Sequence, residues 1–336
     1  MKLRVGLVGI GQGWDSHYRG ALRALADRFE VRAVCSDVAL RAEQIAGEFQ
    51  ARSVDGYRAL AAREDVDAVL LLAPDWYGPL PVYAACDFGK ALFCTSTWEI
   101  EARHAHEMKA RVEQSGIAFM AEFARRHAPA TLRLKELIAT RLGEPRMVLC
   151  HRRLGTAAVN DATHRGVARG SVPRDVLELV DWCCYVVGKT PTSVLGVQHE
   201  GVSGAEEYGY QMINLGFENQ AGESSSMAQI NCGQLLPPTW KEAISFRPPA
   251  ELQVCCEHGV AFLDLPSTLI WFDEAGRHHE SLESERPVGE QLLTQFHRAV
   301  TSLVRRTSDL EDTYRSLNIV EMARMSAQEG RRLILD

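Results

Sequence analysis

The sequence predicts an α/β fold: a doubly wound parallel sheet, followed by an α/β domain built on an antiparallel sheet. Three observations lead there. The chain opens with a glycine-punctuated run, Leu3-Arg-Val-Gly-Leu-Val-Gly-Ile-Gly-Gln-Gly-Trp14. Short apolar runs then alternate with helical patterns to about residue 122. Beyond it, strand-like runs follow one another with a single helix among them.

The first apolar run (Val5, Leu7, Val8) feeds into Gly9, Gly11 and Gly13, and a helical pattern follows through Tyr18, Ala21, Leu22 and Leu25. Residues 30–36 read as a second strand and Arg41 to Phe49 as a helix, with Ile45 and Phe49 four apart. The run 68–73, bounded by Asp67 and Pro74, suits a strand buried on both faces, as parallel sheets require. A helix through Tyr83, Ala84 and Ala85 ends near Gly89; 91–94 and 117–120 are further strands, with a helix around 101–114 between them. In the second half, a helix at 129–140 stops at Gly143-Glu-Pro145. Strands are read at 146–153, 192–199, 210–218, 224–232, 251–256, 259–264 and 268–273, with a helix near 173–187. Short polar turns between these strands suggest antiparallel pairing. Helices near 289–304 and 309–329 close the chain, and the domains are expected at 1–122 and 123–336, with the last helix packing back on the first.

With 336 residues the chain can bury a large core. Its 46% hydrophobic and 24% charged residues are those of a globular protein, and a net charge of -7 argues against a general nucleic-acid or anionic-membrane binder. No apolar run approaches the ~18 residues of a membrane span. The nine cysteines are odd in number and form no Cys-x-x-Cys, so they read as small buried hydrophobes in a reducing, cytoplasmic setting. No His-x-x-x-His or comparable ligand spacing points to a metal.

Strand, glycine turn and helix together make a dinucleotide site: the glycines let backbone approach a pyrophosphate that faces the helix N-terminus. The expected contacts are Gly9, Gly11, Gln12, Gly13 and Trp14. Trp14 departs from the usual glycine or alanine at the third position. At the end of the second strand stand Ser36 and Asp37. Serine leaves room for a 2′-phosphate that Arg41 can pair with, which favours NADP; Arg41 equally suits an exposed helix position, and Asp37 can rotate in and favour NAD. Ala73, Pro74, Asp75, Trp76 and Tyr77 follow the third buried strand, facing the crevice as nicotinamide-side or substrate contacts, or as packing between domains.

This plan resembles the glucose-fructose oxidoreductase/inositol dehydrogenase/MocA (Gfo/Idh/MocA) family nearly end to end. The resemblance rests on Gly9-x-Gly11 with His17 following, Ala33-Val-Cys, Arg-Ala-Glu at 41–43 and Gly89-Lys90 before a strand ending at Cys94. It continues through Ala124-Arg-Arg-His-Ala-Pro129, Leu134-Lys-Glu-Leu-Ile138, Gly143-Glu-Pro145, and Tyr314-Arg-Ser through Ser326-x-x-Glu-Gly330. It implies a Rossmann domain, a C-terminal α/β domain with a large open antiparallel sheet, NAD(P), a sugar or polyol substrate, and a homodimer or homotetramer formed through the open sheet.

The same resemblance exposes departures. Family members usually end the Gly-Lys strand with Glu-Lys-Pro; here Thr95-Ser96-Thr97 stand there, with Ser96 in the lysine's place and Thr95 beside the cofactor. A second signature, Asp then His four residues on then Asp three further, corresponds to Arg174, Glu178 and Asp181, residues that share one helical face. Two readings follow. In one, the site is rebuilt: Glu178 carries the proton with Asp181 in support, and Arg174 holds an anionic or polar substrate. In the other, the chemistry is lost and the chain is a sensor or scaffold that binds a nucleotide or sugar. The chain has six lysines against 31 arginines, and Lys241 is the one in a loop suited to the cleft, where a solvated surface lysine is the plainer explanation. Arg125, Arg126 and His127 lie at the crossing between domains, as ligand contacts or as a structural salt bridge. His151 and Arg153 share a strand face while Arg152 points away; the pair suits a substrate, a solvent-exposed face or a subunit interface. His164 and Arg165 sit where the family covers its substrate.

Overall fold

The computed structural model describes residues 1–11, 13–72, 77–95, 102–153, 174–199, 210–217, 225–233, 249–282, 286–302 and 308–335. The chain divides into two compact units. The first holds Met1–Ala124 and Arg286–Leu317, with Gly166–Arg174; the second holds Arg125–Arg165, Asp175–Glu285 and Asn318–Asp336. The grouping of Arg286–Leu317 with the first unit is made by a helix whose apolar face completes the first core.

In the first unit, β1 (Leu3–Val8), β2 (Phe29–Cys35), β3 (Arg52–Ser53), β4 (Ala68–Leu71), β5 (Ala91–Cys94) and β6 (Phe119–Ala121) form one sheet in the order β3-β2-β1-β4-β5-β6. Every pairing in it is parallel. Helices α1 (Arg19–Ala24), α2 (Ala39–Glu48), α3 (Tyr57–Ala61), α4 (Leu80–Asp87) and α5 (Ala102–Ser115) make the crossovers that parallel neighbours need. β4 and β5 are buried at every position. A five-residue π-helical turn, Trp14–Tyr18, precedes α1. Helix α8 (Val288–Thr301) contributes Leu292, Leu293 and Phe296 to the core that holds Leu3, Val5, Trp14, Tyr18 and Phe93.

The second unit carries α6 (Pro129–Leu137), continued by a π-helical turn Ile138–Leu142, and α7 (Arg174–Val187). Its strands are β7 (Pro145–Arg153), β8 (Ser193–His199), β9 (Tyr210–Phe217), β10 (Ser226–Gly233), β11 (Leu252–Cys256), β12 (Val260–Asp264), β13 (Thr268–Asp273), β14 (Gly276–Ser281) and β15 (Leu333–Ile334). They form one sheet in the order β14-β13-β12-β11-β7-β10-β9-β8-β15. The predicted antiparallel pairing is found throughout except between β7 and β10, which are parallel. α7 lies in the segment between β7 and its parallel neighbour, as a crossover connection does.

One face of this sheet is packed and the other is open. Along β7, Val148 and Cys150 are buried while Met147 is 37% exposed, the period of two that a half-covered strand shows. The helix-facing side is close-packed: a Cβ on Gly196 of β8 would stand 1.9 Å from the Ala323 carbonyl oxygen. Ala323 belongs to α9 (Ser308–Glu329), whose residues to Leu317 group with the first unit and whose remainder groups with the second.

Candidate functional site

At the carboxyl end of β1, Gly9 takes φ +70, a left-handed conformation that a side chain would strain. Its N–H donates to the Cys35 carbonyl of β2 (2.8 Å), and the Trp14 N–H donates to the Gly11 carbonyl (3.2 Å). The backbone therefore turns tightly between strand and helix, the cradle a pyrophosphate requires. Gly13 sits at φ -70, with its nearest neighbours at ordinary contact distance, so no special backbone demand falls on it. Trp14 is buried (3% exposed) and meets Phe49 edge-on at 5.8 Å. Its side chain fills the core beneath the turn rather than the space above it.

At the end of β2 the Ser36 hydroxyl donates to Asp37 Oδ1 (2.9 Å), and the Val38 N–H donates weakly back to it (3.4 Å). Arg41 lies in the first turn of α2, its N–H bonded to the Val38 carbonyl. Thr95 is buried; its N–H (2.9 Å) and hydroxyl (3.2 Å) both donate to the Leu71 carbonyl, bracing β5 against β4. These groups fit a dinucleotide: a turn that only glycine tolerates easily, and a carboxylate at the ribose end of β2. Gln12, Ala73, Pro74, Asp75, Trp76, Ser96, His164, Arg165 and Lys241 lie outside the described residues, as does the side chain of Arg174, which opens α7.

The second cluster lies on α7. Glu178, Asp181, Trp182 and Tyr185 recur at the i, i+3, i+4, i+7 spacing of one helical stripe. A 3-10 turn, Ala124–His127, brings two successive arginines to that stripe. Arg126 binds Asp181 with two hydrogen bonds, Nε–Oδ2 at 2.6 Å and a second from Nη2 to Oδ1, and its cation lies 5.2 Å from the Tyr185 ring. Asp181 is 1% exposed, so this is a buried, bidentate pair. Arg125 divides itself. Its Nη1 donates to Glu251 Oε2 (2.9 Å), its cation lies 5.5 Å from the Trp182 ring, and its Nε stands 3.4 Å from Glu178 Oε2 without hydrogen-bond alignment. Trp182 is itself fixed by a hydrogen bond to Thr131 (3.0 Å). Burial, with the charge of Arg126 beside it, pushes His127 down to about 4, so it is neutral at pH 7.

His151 and Arg153 do not join this cluster. Cys150 and Arg152 point to the α7 side: the Cys150 thiol neighbours the Cys183 thiol, and Arg152 Nε lies 3.8 Å from Asp175. Strand alternation then puts His151 and Arg153 on the opposite, open face with Met147 and Leu149. There burial, and next the Arg153 charge, holds His151 below the usual imidazole range. The residues that sequence reasoning missed as parts of this cluster are Arg152 and Glu251. The signal for Arg152 was present, because the same alternation that pairs His151 with Arg153 turns it toward α7. Glu251 sits just before β11 and gave no signal.

Strand order, the Gly9 turn and the β2 terminus together define a doubly wound α/β unit of the dinucleotide-binding kind, in a chain that also holds a large mixed-sheet unit. Residues 3–123 match the model of the Gfo/Idh/MocA oxidoreductase family, NAD-binding Rossmann fold. Over those residues the chain is similar to members of that family. The chain is 30% identical over 199 residues to inositol 2-dehydrogenase of Rhizobium meliloti (strain 1021), an alignment covering 58% of each chain. It is 31% identical over 119 residues to D-xylose 1-dehydrogenase (NADP(+)) 2 of Haloferax volcanii, covering 35% of this chain and 37% of that protein. Both alignments thus span less than two thirds of those relatives' own length. Whole-chain likeness appears in structure: aldose-aldose oxidoreductase from Caulobacter crescentus superimposes with a TM-score of 0.82 at 16% identity over 100% of both chains. A myo-inositol dehydrogenase-like structure from Sinorhizobium meliloti 1021 gives 0.75 at 19% identity, again over 100% of both. At such identities the likeness concerns fold. Among the described residues no helix is long and apolar enough to cross a membrane, and no His, Cys, Asp and Glu group could hold a metal ion.

Proposed function

We propose that this chain is an NAD(P)-dependent oxidoreductase acting on a hydroxyl group of a sugar, polyol or related carbohydrate, with a rebuilt proton-handling site. The observation that carries the reading is the Gly9 turn at the end of β1 inside a domain of a dinucleotide-binding family. The relatives named for inositol and xylose support the substrate class. When bound, the nicotinamide supplies the hydride acceptor or donor. The chain's own part is to hold the nucleotide at Gly9, Gly11 and Asp37 and to move the hydroxyl proton.

Glu178 is the proton carrier in this proposal. Its side chain is 12% exposed and lies against Arg125, in the place where the family resemblance sets a histidine. Asp181 acts indirectly: its carboxylate is taken by Arg126, which makes the pair a strut under Glu178 rather than a second acid. Around α7, the carboxylates of Asp175, Glu178, Asp181 and Glu251 stand among the guanidiniums of Arg125, Arg126 and Arg152. Such a mixed array donates to and accepts from vicinal hydroxyls, as a sugar or polyol presents.

For the nucleotide, the Ser36–Asp37 hydrogen bond keeps a carboxylate at the ribose end of β2 and supports NAD, because a 2′-phosphate would be repelled there. The NADP reading through Ser36 and Arg41 remains as the second outcome of the same titration. The binding-module alternative is supported by the engagement of Asp181 and Arg126 with each other. A cytoplasmic setting belongs to the same proposal, supported by nine cysteines that form no Cys-x-x-Cys pattern.

Fluorescence titration with NADH and NADPH comes first; binding is expected, tighter for NADH, and no binding of either sinks the proposal. Absorbance at the nicotinamide band, screened over myo-inositol, D-xylose and other neutral polyols, then separates enzyme from sensor. Glu178→Gln is expected to cut turnover by about 10²-fold or more while leaving NADH affinity unchanged. Turnover that survives this substitution removes Glu178 from the chemistry.

A further inference from the structure

The two successive arginines at α7 treat their carboxylates differently. Arg126 closes on Asp181 with both Nε and Nη2. Arg125 closes on Glu251 through Nη1, at 2.9 Å. Its Nε–H is buried and, among the described residues, has no hydrogen-bond partner, although Glu178 Oε2 stands 3.4 Å away. The side chains of Arg125 and Glu178 are 11% and 12% exposed, so both lie largely out of water. The guanidinium itself is held in place. It lies over the Trp182 ring, and that ring is fixed by its bond to Thr131. Glu251 is tied in turn through its backbone: its N–H donates to Asp264 Oδ1 (3.3 Å), and its carbonyl accepts from the His151 N–H (2.9 Å).

A buried N–H without a partner is costly, and the cost is removed when it meets an acceptor. Glu178 Oε2 becomes that acceptor by a small move, from 3.4 Å to the about 2.9 Å of a charge-assisted bond. Such bonds are often long in ligand-free proteins and tighten around the substrate. We propose that Arg125 is the positioning residue for Glu178: its Nε–H aligns the Glu178 carboxylate on the substrate hydroxyl, while Trp182 and Glu251 keep the guanidinium still. The assignment rests on the reading of Glu178 as proton carrier given above. It moves no further atom: the hydroxyl proton goes to Glu178, and Arg125 keeps its own. Arginine suits this task because its planar fork fixes a direction and it holds its protons throughout the neutral range. A lysine would supply the charge without the direction.

The test measures kcat and KM, with the polyol that the absorbance screen finds active, for the intact chain, Arg125→Met, Arg125→Lys, Glu178→Gln and the double substitution Arg125→Met with Glu178→Gln. Each is checked for folding by its thermal transition. Arg125→Met is expected to lower kcat by about tenfold or more, as the loss of one charged hydrogen bond does, with KM nearly unchanged. Arg125→Lys is expected to recover only part of that loss, and it replaces Arg125→Met throughout should the latter fail to fold. Because Arg125 acts through Glu178, the double substitution is expected to be no slower than Glu178→Gln alone. A second readout needs no turnover: the Arg125 Nε–H proton resonance with the polyol present, identified by its absence in Arg125→Lys, is expected to move upfield in Glu178→Gln. The assignment is overturned if kcat is unchanged in both Arg125 variants, if the double substitution multiplies the two single losses, or if the resonance does not move. Turnover that survives Glu178→Gln, or an intact chain that turns over no polyol, overturns the proton-carrier reading itself and this assignment with it, a different result.

Discussion

Trp14 shows how one residue can break a local rule and be accommodated far away. An indole in place of the third glycine would hold helix and strand apart. Here it is turned into the core against Phe49, and the chain enters the helix through a π-helical turn. The close approach moves to another glycine: a Cβ on Gly289 of α8 would stand 2.1 Å from the His17 carbonyl oxygen. The departure was legible in the sequence; its compensation was not, because nothing local links position 14 to position 289. His127 is a second residue whose character only packing reveals. It is pushed down to about 4 in the fold, against 6.5 for the unperturbed group. Between those values the unfolded chain binds a proton that the folded chain does not, so stability rises with pH there and is lost on acidification from 6.5 toward 4. Urea unfolding at pH 7 and pH 5 is expected to show a loss on the order of 1 kcal/mol per pH unit below 6.5, and His127→Gln is expected to flatten that slope. An equal slope in the variant would assign the titration elsewhere.

Among elements, alternation proved the most reliable guide and was applied incompletely. It paired His151 with Arg153 correctly, yet those two face away from α7, and the basic group that reaches the helix is Arg152. The helical stripe Glu178, Asp181, Trp182 and Tyr185 was equally legible, whereas its docking by Arg125 and Arg126 needed the 3-10 turn that no periodicity announces. β14, Gly-Arg-His-His-Glu-Ser, escaped detection because it carries no apolar alternation and is held by its ladder to β13. β7 and β10 are parallel within an otherwise antiparallel set, a pairing that strand-by-strand reading cannot supply. The contact of β8 with α9 is open to a direct test. Gly196→Ala forces a methyl group into the Ala323 carbonyl, and an overpacking loss of about 1–3 kcal/mol in urea unfolding is expected. Unchanged stability would mean that α9 does not pack there in solution.

For the whole molecule, fold class was legible almost throughout, because parallel runs and alternating strands are properties of the chain itself. Assembly is a different matter. The open face of the nine-stranded sheet presents Met147, Val197, Met227 and Phe272, each between 37% and 47% exposed. We propose that this face joins copies of the chain into a homodimer or homotetramer, as the family resemblance implies. Light scattering is expected to give two or four chain masses, and the double substitution Met227→Lys with Phe272→Lys is expected to give one. A monomeric unaltered chain would refute the interface.

The contribution of α8 to the first core has a consequence for how this protein is made. Leu292, Leu293 and Phe296 lie in the same cluster as Leu3, Val5 and Leu7. A ribosome releases the β1 end of that cluster first and must add nearly three hundred residues before the closing helix emerges. Until then a nascent chain that has already formed the six-stranded sheet carries an uncovered apolar wall over Trp14, Tyr18 and Phe93. The first unit is therefore completed only after the strands of the second unit between β7 and β14 have been synthesised.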